Sequence, residues 1–343
     1  MEDSLARAAR PTMKDVAARA GVGLKTVSRV VNGEPGVLPS TAATVHRAIA
    51  DLGFRRNDGA RHLRTGRTAG IGLIMEDVAD PFYSLLAAAV ERIAHLHDNL
   101  LFTASSQDNP EKEAELALAL CARRVDGLII VPAAADHRYL APELHAGLPM
   151  VFADRPPINL PADAVLTDNA DGARKGVDHL IRHGHTGIGY LGDHARIYTS
   201  TQRLEGYRAA MADAGLPVHP GWIHRGPPTQ DRIHALLDHL LDPAAEHPVT
   251  ALFTANNRTT VTVLRELATR AGAPPALVGF DDFELADLLH PAITVVAQDP
   301  TGLGDTAADL LYTRLSGDTT PARRIVLPTR LIPRGSGEAP PPR

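Results

Sequence analysis

Residues 12–32, TMKDVAARAGVGLKTVSRVVN, constrain this chain more than any other stretch. They read as two short helices joined by a tight Gly-Val-Gly turn, a helix-turn-helix. Thr12 with Asp15 three residues on makes a capping-box-like start, a hydroxyl at the cap and an acid in the first turn. Val16, Ala17 and Ala20 form an apolar edge, and Gly21 to Gly23 permit a turn that no helix continues through. The second helix divides by face. Val27, Val30 and Val31 fall at i, i+3, i+4 and point to a core. Lys25, Ser28, Arg29 and Asn32 fall on the opposite side at i, i+3, i+4, i+7, with no acid among them. Such a face suits the major groove of DNA, where Lys and Arg donate to guanine O6 and N7. An ordinary solvated face is the plainer alternative; the turn glycines and the basic segment that follows favour DNA.

The formal net charge of −5 is unevenly spread. Residues 12–67 hold ten Lys/Arg against four Asp/Glu, a balance of +6, and residues 1–11 cancel, so the remainder carries −11. A basic front on an acidic body directs polyanion binding to the front alone. The 343 residues predict about two domains with room for sizeable cores. The one cysteine, Cys121, allows no internal disulfide and suits a reducing cytoplasm; its Ala/Leu-rich surroundings favour packing over nucleophilic use. No apolar run approaches the ~20 residues of a membrane helix, and the start, MEDSLARAARP, is unlike a signal peptide. A soluble cytoplasmic protein is expected.

Asn32-Gly33-Glu34-Pro35-Gly36 is a turn-rich break. Beyond it Pro39 suits a first helical position, Val45, Ala48, Ile49 and Leu52 give an inward stripe, and Gly53 ends the helix. This three-helix unit resembles the headpiece of the lactose-repressor (LacI/GalR) family of transcriptional regulators, through KDVAARAGV, TVSRVVNG, AIADLGF and ARHLRTGRT in that order. Candidate DNA contacts in it are Thr12, Leu24, Lys25, Thr26, Ser28, Arg29 and Asn32. The resemblance implies that residues 57–64, NDGARHLR, form a hinge that becomes helical only when two copies lie side by side in the minor groove. There Asn57, Arg61 and Arg64 would meet DNA, and Leu63 would wedge a base step open. Gly59 independently makes order conditional, costing about 1 kcal/mol against Ala in a segment too short to hold itself. A flexible basic linker with Leu63 exposed is the alternative. Three positions depart from the family pattern. Gly23 replaces a Ser-type cap of the recognition helix, Leu38 stands in the corresponding place before the third helix, and Arg56 replaces the proline before the hinge asparagine.

From Gly70 short apolar runs alternate with longer helical patterns, which argues for a doubly wound α/β body. Candidate strands are 71–75, 100–104, 127–131, 150–153, 164–167, 187–192, 251–254 and 277–280. Helical patterns include 82–96, 110–123, 172–182, 202–214, 231–241 and 260–271. These are too many parallel units for one small sheet, so two similar lobes are expected. The resemblance implies the same, a body like a periplasmic sugar-binding protein with two lobes around a cleft. It runs through DPFYSLLAAAVE, VDGLIIVPA, HLIRHGHTGIGYLG, QRLEGYRAAM, VGFDDFELA and QDPTGLGDTAADLL. The expected organisation is an all-α helix-turn-helix headpiece at 12–56, a hinge at 57–67, and a two-lobed periplasmic-binding-protein-like α/β core of doubly wound parallel sheets at 68–336. Lobe 1 takes about 68–167 and 299–326, and lobe 2 about 168–298 and 327–336. The Pro-rich tail, 337–343, is expected to be disordered and lacks apolar heptads.

In open parallel sheets, ligands bind past the carboxyl ends of the strands. Asp80, Phe82 and Tyr83 follow the first strand, Asp154 follows 150–153, Asn256 follows 251–254, Asp281 follows 277–280 and Gln298 follows the apolar run 294–297. Arg203 opens a later helix. The resemblance implies effector contact at Arg203 and Asp281. A guanidinium fork beside a carboxylate acceptor suits vicinal hydroxyls, and Phe82 or Tyr83 can cover a sugar face. Strand-end caps or lobe–lobe ion pairs are the plainer roles. Where the family usually reads Asn-Asp, this chain reads Asn256-Asn257 and then Arg258, a carboxylate lost and a cation gained.

Two motifs mislead. Gly187-Ile-Gly189-Tyr-Leu-Gly192 fits GxGxxG, but it follows a helix and reads as a strand itself, not as a dinucleotide loop. His179, His183 and His185 lack supporting Cys or carboxylate ligands, so structural roles are expected rather than a metal. With no G-x-S-x-G and no P-loop, neither catalytic residues nor a cofactor are expected. The expected protein is a transcriptional regulator, most simply a repressor, acting as a homodimer on a pseudo-palindromic double-stranded DNA operator under a carbohydrate-like small-molecule effector. A transporter's solute-binding protein or a sugar-processing enzyme would share the body. The first would need an export signal and no basic head, the second a reactive set in the cleft.

Overall fold

The computed structural model describes residues 11–55, 68–242 and 244–342 of the chain. Two compact units result, Met1–Thr68 and Ala69–Arg343. The first holds α1 (Met13–Ala20), α2 (Leu24–Val31) and α3 (Pro39–Leu52). Asp15 Oδ2 accepts from both the amide and the hydroxyl of Thr12, each at 2.7 Å, and so closes the start of α1. α1 ends at Gly21, whose φ of +67° is left-handed and favours glycine. Gly23 is different: extended at φ −69°, it precedes α2 with no side chain to cap it. Val16, Val27, Val45 and Ala48 are buried together, and Val30, Val31, Ile49 and Leu52 pack against them. That small core turns the other face of α2 outward. The expected hinge residues, with Arg56 before them, lie outside the described residues.

The second unit has two lobes. Lobe 1 begins with β1 (Gly70–Met75), α4 (Pro81–Leu96), β2 (Leu100–Ser105), α5 (Pro110–Ala122), β3 (Gly127–Ile130), α6 (Ala141–His145), β4 (Met150–Ala153) and β5 (Asp163–Thr167). Lobe 2 follows with α7 (Asn169–Arg182), β6 (Ile188–Gly192), α8 (Tyr198–Asp213), β7 (Ile223–Arg225), α9 (Gln230–Leu240), β8 (Ala251–Thr254), α10 (Asn257–Leu267), β9 (Ala276–Phe280) and β10 (Thr294–Ala297). The chain returns to lobe 1 for α11 (Pro300–Leu315) and β11 (Arg324–Leu327), and comes back to lobe 2 with β12 (Arg330–Ile332). The sheet orders are β11-β5-β4-β3-β1-β2 and β12-β10-β9-β8-β6-β7. Every pairing is parallel except β12 against β10. Central strands covered by helices on both faces must be apolar throughout, which is why they read as short hydrophobic runs.

Several elements escape the apolar-run signal. β7, β11 and β12 are three or four residues long and include Arg225, Arg324 and Arg330. α11 opens with Pro300, Gly302 and Gly304, which dilute a helical pattern. A Cβ at position 304 would stand 2.6 Å from the Leu86 carbonyl oxygen, so glycine there lets α11 lie close on α4.

The tail is not the disordered segment that its composition predicts. Glu338 accepts from Thr294 Oγ1 at 2.9 Å and from the Gly335 amide at 2.7 Å, and meets His179 Nε2 at 2.6 Å. Ala339 offers its carbonyl to His185 Nε2 at 2.8 Å. Three histidines that look like a metal motif are thus tied elsewhere, His183 through Nδ1 to the His179 carbonyl at 2.8 Å. A Pro-rich segment lacks a periodic pattern yet still packs when a strand start and a neighbouring helix present it with hydrogen-bond partners. Glu338→Ala is expected to lower the stability of this unit by about 1.5–3 kcal/mol, since several of its bonds involve charge. Urea unfolding followed by Trp222 fluorescence measures this, Trp222 being the sole tryptophan and buried in lobe 2. An unchanged midpoint would mean that the tail contributes nothing.

Candidate functional site

On the headpiece, α2 presents Leu24 and Lys25 to solvent, while Thr26, Ser28, Arg29 and Asn32 are half-buried. Asn32 Nδ2 donates to Ser28 Oγ at 3.3 Å and to Glu34 Oε1 at 3.2 Å, so part of the polar face is pre-positioned. Among the described residues neither Lys25 nor Arg29 is paired with an acid. A face of free cations and oriented amides is suited to phosphates and base edges.

The second concentration of polar groups lies between the lobes, past the carboxyl ends of both sheets. In lobe 2, Arg203 from α8 is 5% exposed and held by groups of its own lobe. Its Nε donates to Asn169 Oδ1 at 2.7 Å and its Nη1 to the Ala255 carbonyl at 2.6 Å, with Asp281 Oδ2 at 3.4 Å. The guanidinium also lies 3.8 Å over the Phe280 ring. Gln298 Nε2 donates to Asp281 Oδ1 at 2.5 Å. Asn256 caps α10 by accepting from the Thr259 amide at 2.7 Å, and its Nδ2 faces Asp193 Oδ2 at 3.3 Å.

Lobe 1 mirrors this with a second buried arginine. Arg155 donates to Glu76 at 2.6 Å and to Asp108 at 2.7 Å, and stands 3.6 Å from Asp154. Tyr83 is buried with its hydroxyl 3.4 Å from Glu76, and Phe82 meets its ring edge-on at 5.1 Å. Asp80 caps α4 by accepting from the Phe82 amide at 3.0 Å. The eight cleft residues expected from sequence thus all line one cavity. Within it, Arg203, Asp281 and Gln298 form one contacting set and Asp80, Phe82 and Tyr83 border another. Buried Asp154 Oδ1, Arg155 Nε and Gln298 Oε1 have no hydrogen-bond partner among the described residues. Such atoms are where a polar ligand gains most.

Sequence reasoning missed Glu76, Arg155 and Asp193 as cleft residues and Asn169 as the partner of Arg203, and treated Asn257 and Arg258 only as a departure. Glu76 directly follows β1 and Asp193 directly follows β6, so the strand-end rule reaches both. Arg155 adjoins Asp154. Asn169 stands just past β5, within reach of the same rule, but nothing local couples it to Arg203, 34 residues on.

Asp154 and Asp281 occupy matching strand ends with left-handed φ of +67° and +71°. Burial pushes the Asp154 carboxyl up to about 6, helped by Asp281 and Glu76 and opposed by Arg155 and Arg203. An acid raised in the folded state holds its proton there more tightly than in the unfolded chain. Its ionisation therefore costs nothing below its ordinary value of 3.8 and erodes stability as pH rises from there to about 6. Asp154→Asn should gain on wild type across that window and level off above it, by roughly 3 kcal/mol. Urea midpoints of the two proteins at pH 4, 5, 6 and 7 test this; parallel curves would refute it.

A basic helix-turn-helix unit followed by a two-lobed α/β unit with a polar interlobe cleft defines a DNA-binding regulator with a ligand-sensing body. Residues 12–57 match the family described as bacterial regulatory proteins, lacI family, and residues 177–337 match a periplasmic binding protein-like domain. The HTH-type transcriptional regulator CelR of Thermobifida fusca is 34% identical over 342 residues, covering 96% of this chain and 99% of that one. The ribose operon repressor of Escherichia coli is 31% identical, covering 95% and 99%. The solved lac repressor dimer bound to operator and the anti-inducer ONPF superposes with a TM-score of 0.81 at 26% identity, covering 96% and 100%. A CelR–cellobiose complex superposes at 0.69 with 32% identity, covering 95% and 100%. The chain belongs to the LacI family of bacterial transcriptional regulators.

Proposed function

We propose that this regulator is a repressor, and not an enzyme, whose grip on operator DNA is controlled by an unphosphorylated carbohydrate in the interlobe cleft. One observation carries the reading: buried arginine–carboxylate sets face the same cavity from both lobes, Arg203 with Asp281 and Arg155 with Glu76. Such sets offer the alternating donors and acceptors that vicinal hydroxyls need. The cavity is lined by five carboxylates, Glu76, Asp80, Asp154, Asp193 and Asp281, against three guanidiniums, Arg155, Arg203 and Arg258. That excess of negative charge disfavours a phosphate ester. The cellobiose complex of a relative supports a sugar as the ligand class.

Thr12, Leu24, Lys25, Thr26, Ser28, Arg29 and Asn32 are the proposed operator contacts, with Asn57, Arg61, Leu63 and Arg64 from the hinge. Asp80, Phe82, Tyr83, Asp154, Arg203, Asn256, Asp281 and Gln298 are the proposed effector contacts. The protein acts in the cytoplasm, where operator DNA is; among the described residues no helix is long and apolar enough to cross a membrane. It pairs as a homodimer, so that two recognition helices meet two half-sites. The edge strand β2 and its neighbour α4 expose Leu85, Leu96, Leu100 and Phe102, an apolar patch that a second copy would cover. Effector acts by differing in affinity for the states that do and do not hold DNA. Binding to genomic fragments, with and without free sugars and their phosphate esters, is the test. Fragment preference altered by a free sugar is expected; no preference over random duplex at physiological salt would overturn the reading.

A further inference from the structure

Arg258, at the start of α10, directly follows the Asn256-Asn257 pair, and its side chain crosses the cleft. From lobe 2 its Nη2 donates to Glu76 Oε1 in lobe 1 at 2.5 Å, while its Nε stands 3.8 Å from Asp80 Oδ2. In its own lobe Asp193 Oδ2 lies 3.7 Å from Nη2. The preceding residue spans the same gap, Asn257 Nδ2 donating to Asp80 Oδ1 at 3.0 Å between two buried side chains. Arg196 adds a third bridge, from lobe 2 to Asp108. With these side chains in place the cavity is about 50 Å³. Glu76 and Asp80, acceptors that a hydroxylated ligand would use, are thereby already occupied from the opposite lobe.

We propose that Arg258 is a tethered occupant of the cleft, a latch that holds the lobes together through Glu76 and Asp80 and that an effector must displace. The inference rests on the cleft being the effector site, but the latch itself is a property of the protein alone. Removing the guanidinium leaves Glu76, Asp80 and Asp193 facing one another with their counter-charge reduced, so the lobes part. Arg155 keeps Glu76 paired within lobe 1 and does not span the gap. Effector affinity in this chain is then an exchange, with ligand hydroxyls replacing the guanidinium at Glu76 and Asp80. Truncating Arg258 removes that competition.

Electron-electron distance measurement between spin labels tests the latch without ligand or DNA. Labels go on Glu111→Cys and Asp231→Cys, exposed positions in the first turns of α5 and α9 at the crevice ends of the two sheets, in a Cys121→Ala background. Arg258→Ala is expected to lengthen and broaden the distance, and Arg258→Glu to lengthen it further. Arg258→Met, which keeps an apolar stem and removes only the charge, is expected to lengthen it as Arg258→Ala does, and it keeps the test open if the other variants misfold. Distances unchanged by these substitutions in folded protein would overturn the latch. A protein that opens on Arg258→Ala yet ignores every sugar would sink the effector reading and leave the latch standing.

Discussion

Arg203→Ala is expected to abolish the response to effector and to destabilise lobe 2 by about 3–5 kcal/mol, while leaving operator binding by the headpiece intact. The size of the effect follows from burial. Arg203 is 5% exposed and serves Asn169, the Ala255 carbonyl, Asp281 and the Phe280 ring at once. Truncation leaves the Asp281 carboxylate buried beside Gln298 without its cation. Stability and recognition separate in the double substitution Arg203→Met with Asp281→Leu. Replacing both partners by apolar groups of similar volume is often neutral, so much of the lost stability should return while the response stays absent. Urea unfolding read at Trp222, alongside sugar-dependent release from operator, measures the two quantities. A single variant that still responds at the wild-type effector concentration would remove Arg203 from the effector site.

Arg29→Ala is expected to weaken operator binding by about 1–3 kcal/mol and to relax preference at one base-pair position. The headpiece should keep its fold, because its buried core is Val16, Val27, Val45 and Ala48 and does not include Arg29. Lys25→Ala supplies the contrast. Should Lys25 meet phosphate rather than a base, its loss weakens all sequences alike and lowers the salt slope by about one, without changing base preference. Anisotropy titrations against operators changed one base at a time distinguish the two behaviours. An unchanged preference profile for Arg29→Ala would place the base-reading role elsewhere on α2.

How much was legible depended on the range of the signal. Helix boundaries in the headpiece follow from Asp15, Gly21, Pro39 and Gly53, each a local device. The strand-end rule located Asp80, Asp154, Asn256 and Asp281, and would have located Glu76 and Asp193 had it been applied to every strand. It had no means of pairing Asn169 with Arg203, nor of seeing that the tail would pack on lobe 2 through Glu338 and Ala339. Composition suggested disorder for that tail, but partners far away in sequence, Thr294, His179 and His185, outweighed it.

By itself, the sequence determined the helix-turn-helix, the doubly wound class of the body and the residue types available at its strand ends. Those properties depend on spacings of a few residues, which chain order alone specifies. Tertiary structure decided which of those residues meet. Asn257 finds Asp80 across 177 positions and Arg258 finds Glu76 across 182. No periodicity encodes such pairs, because they exist only where two separately folded lobes come to face each other.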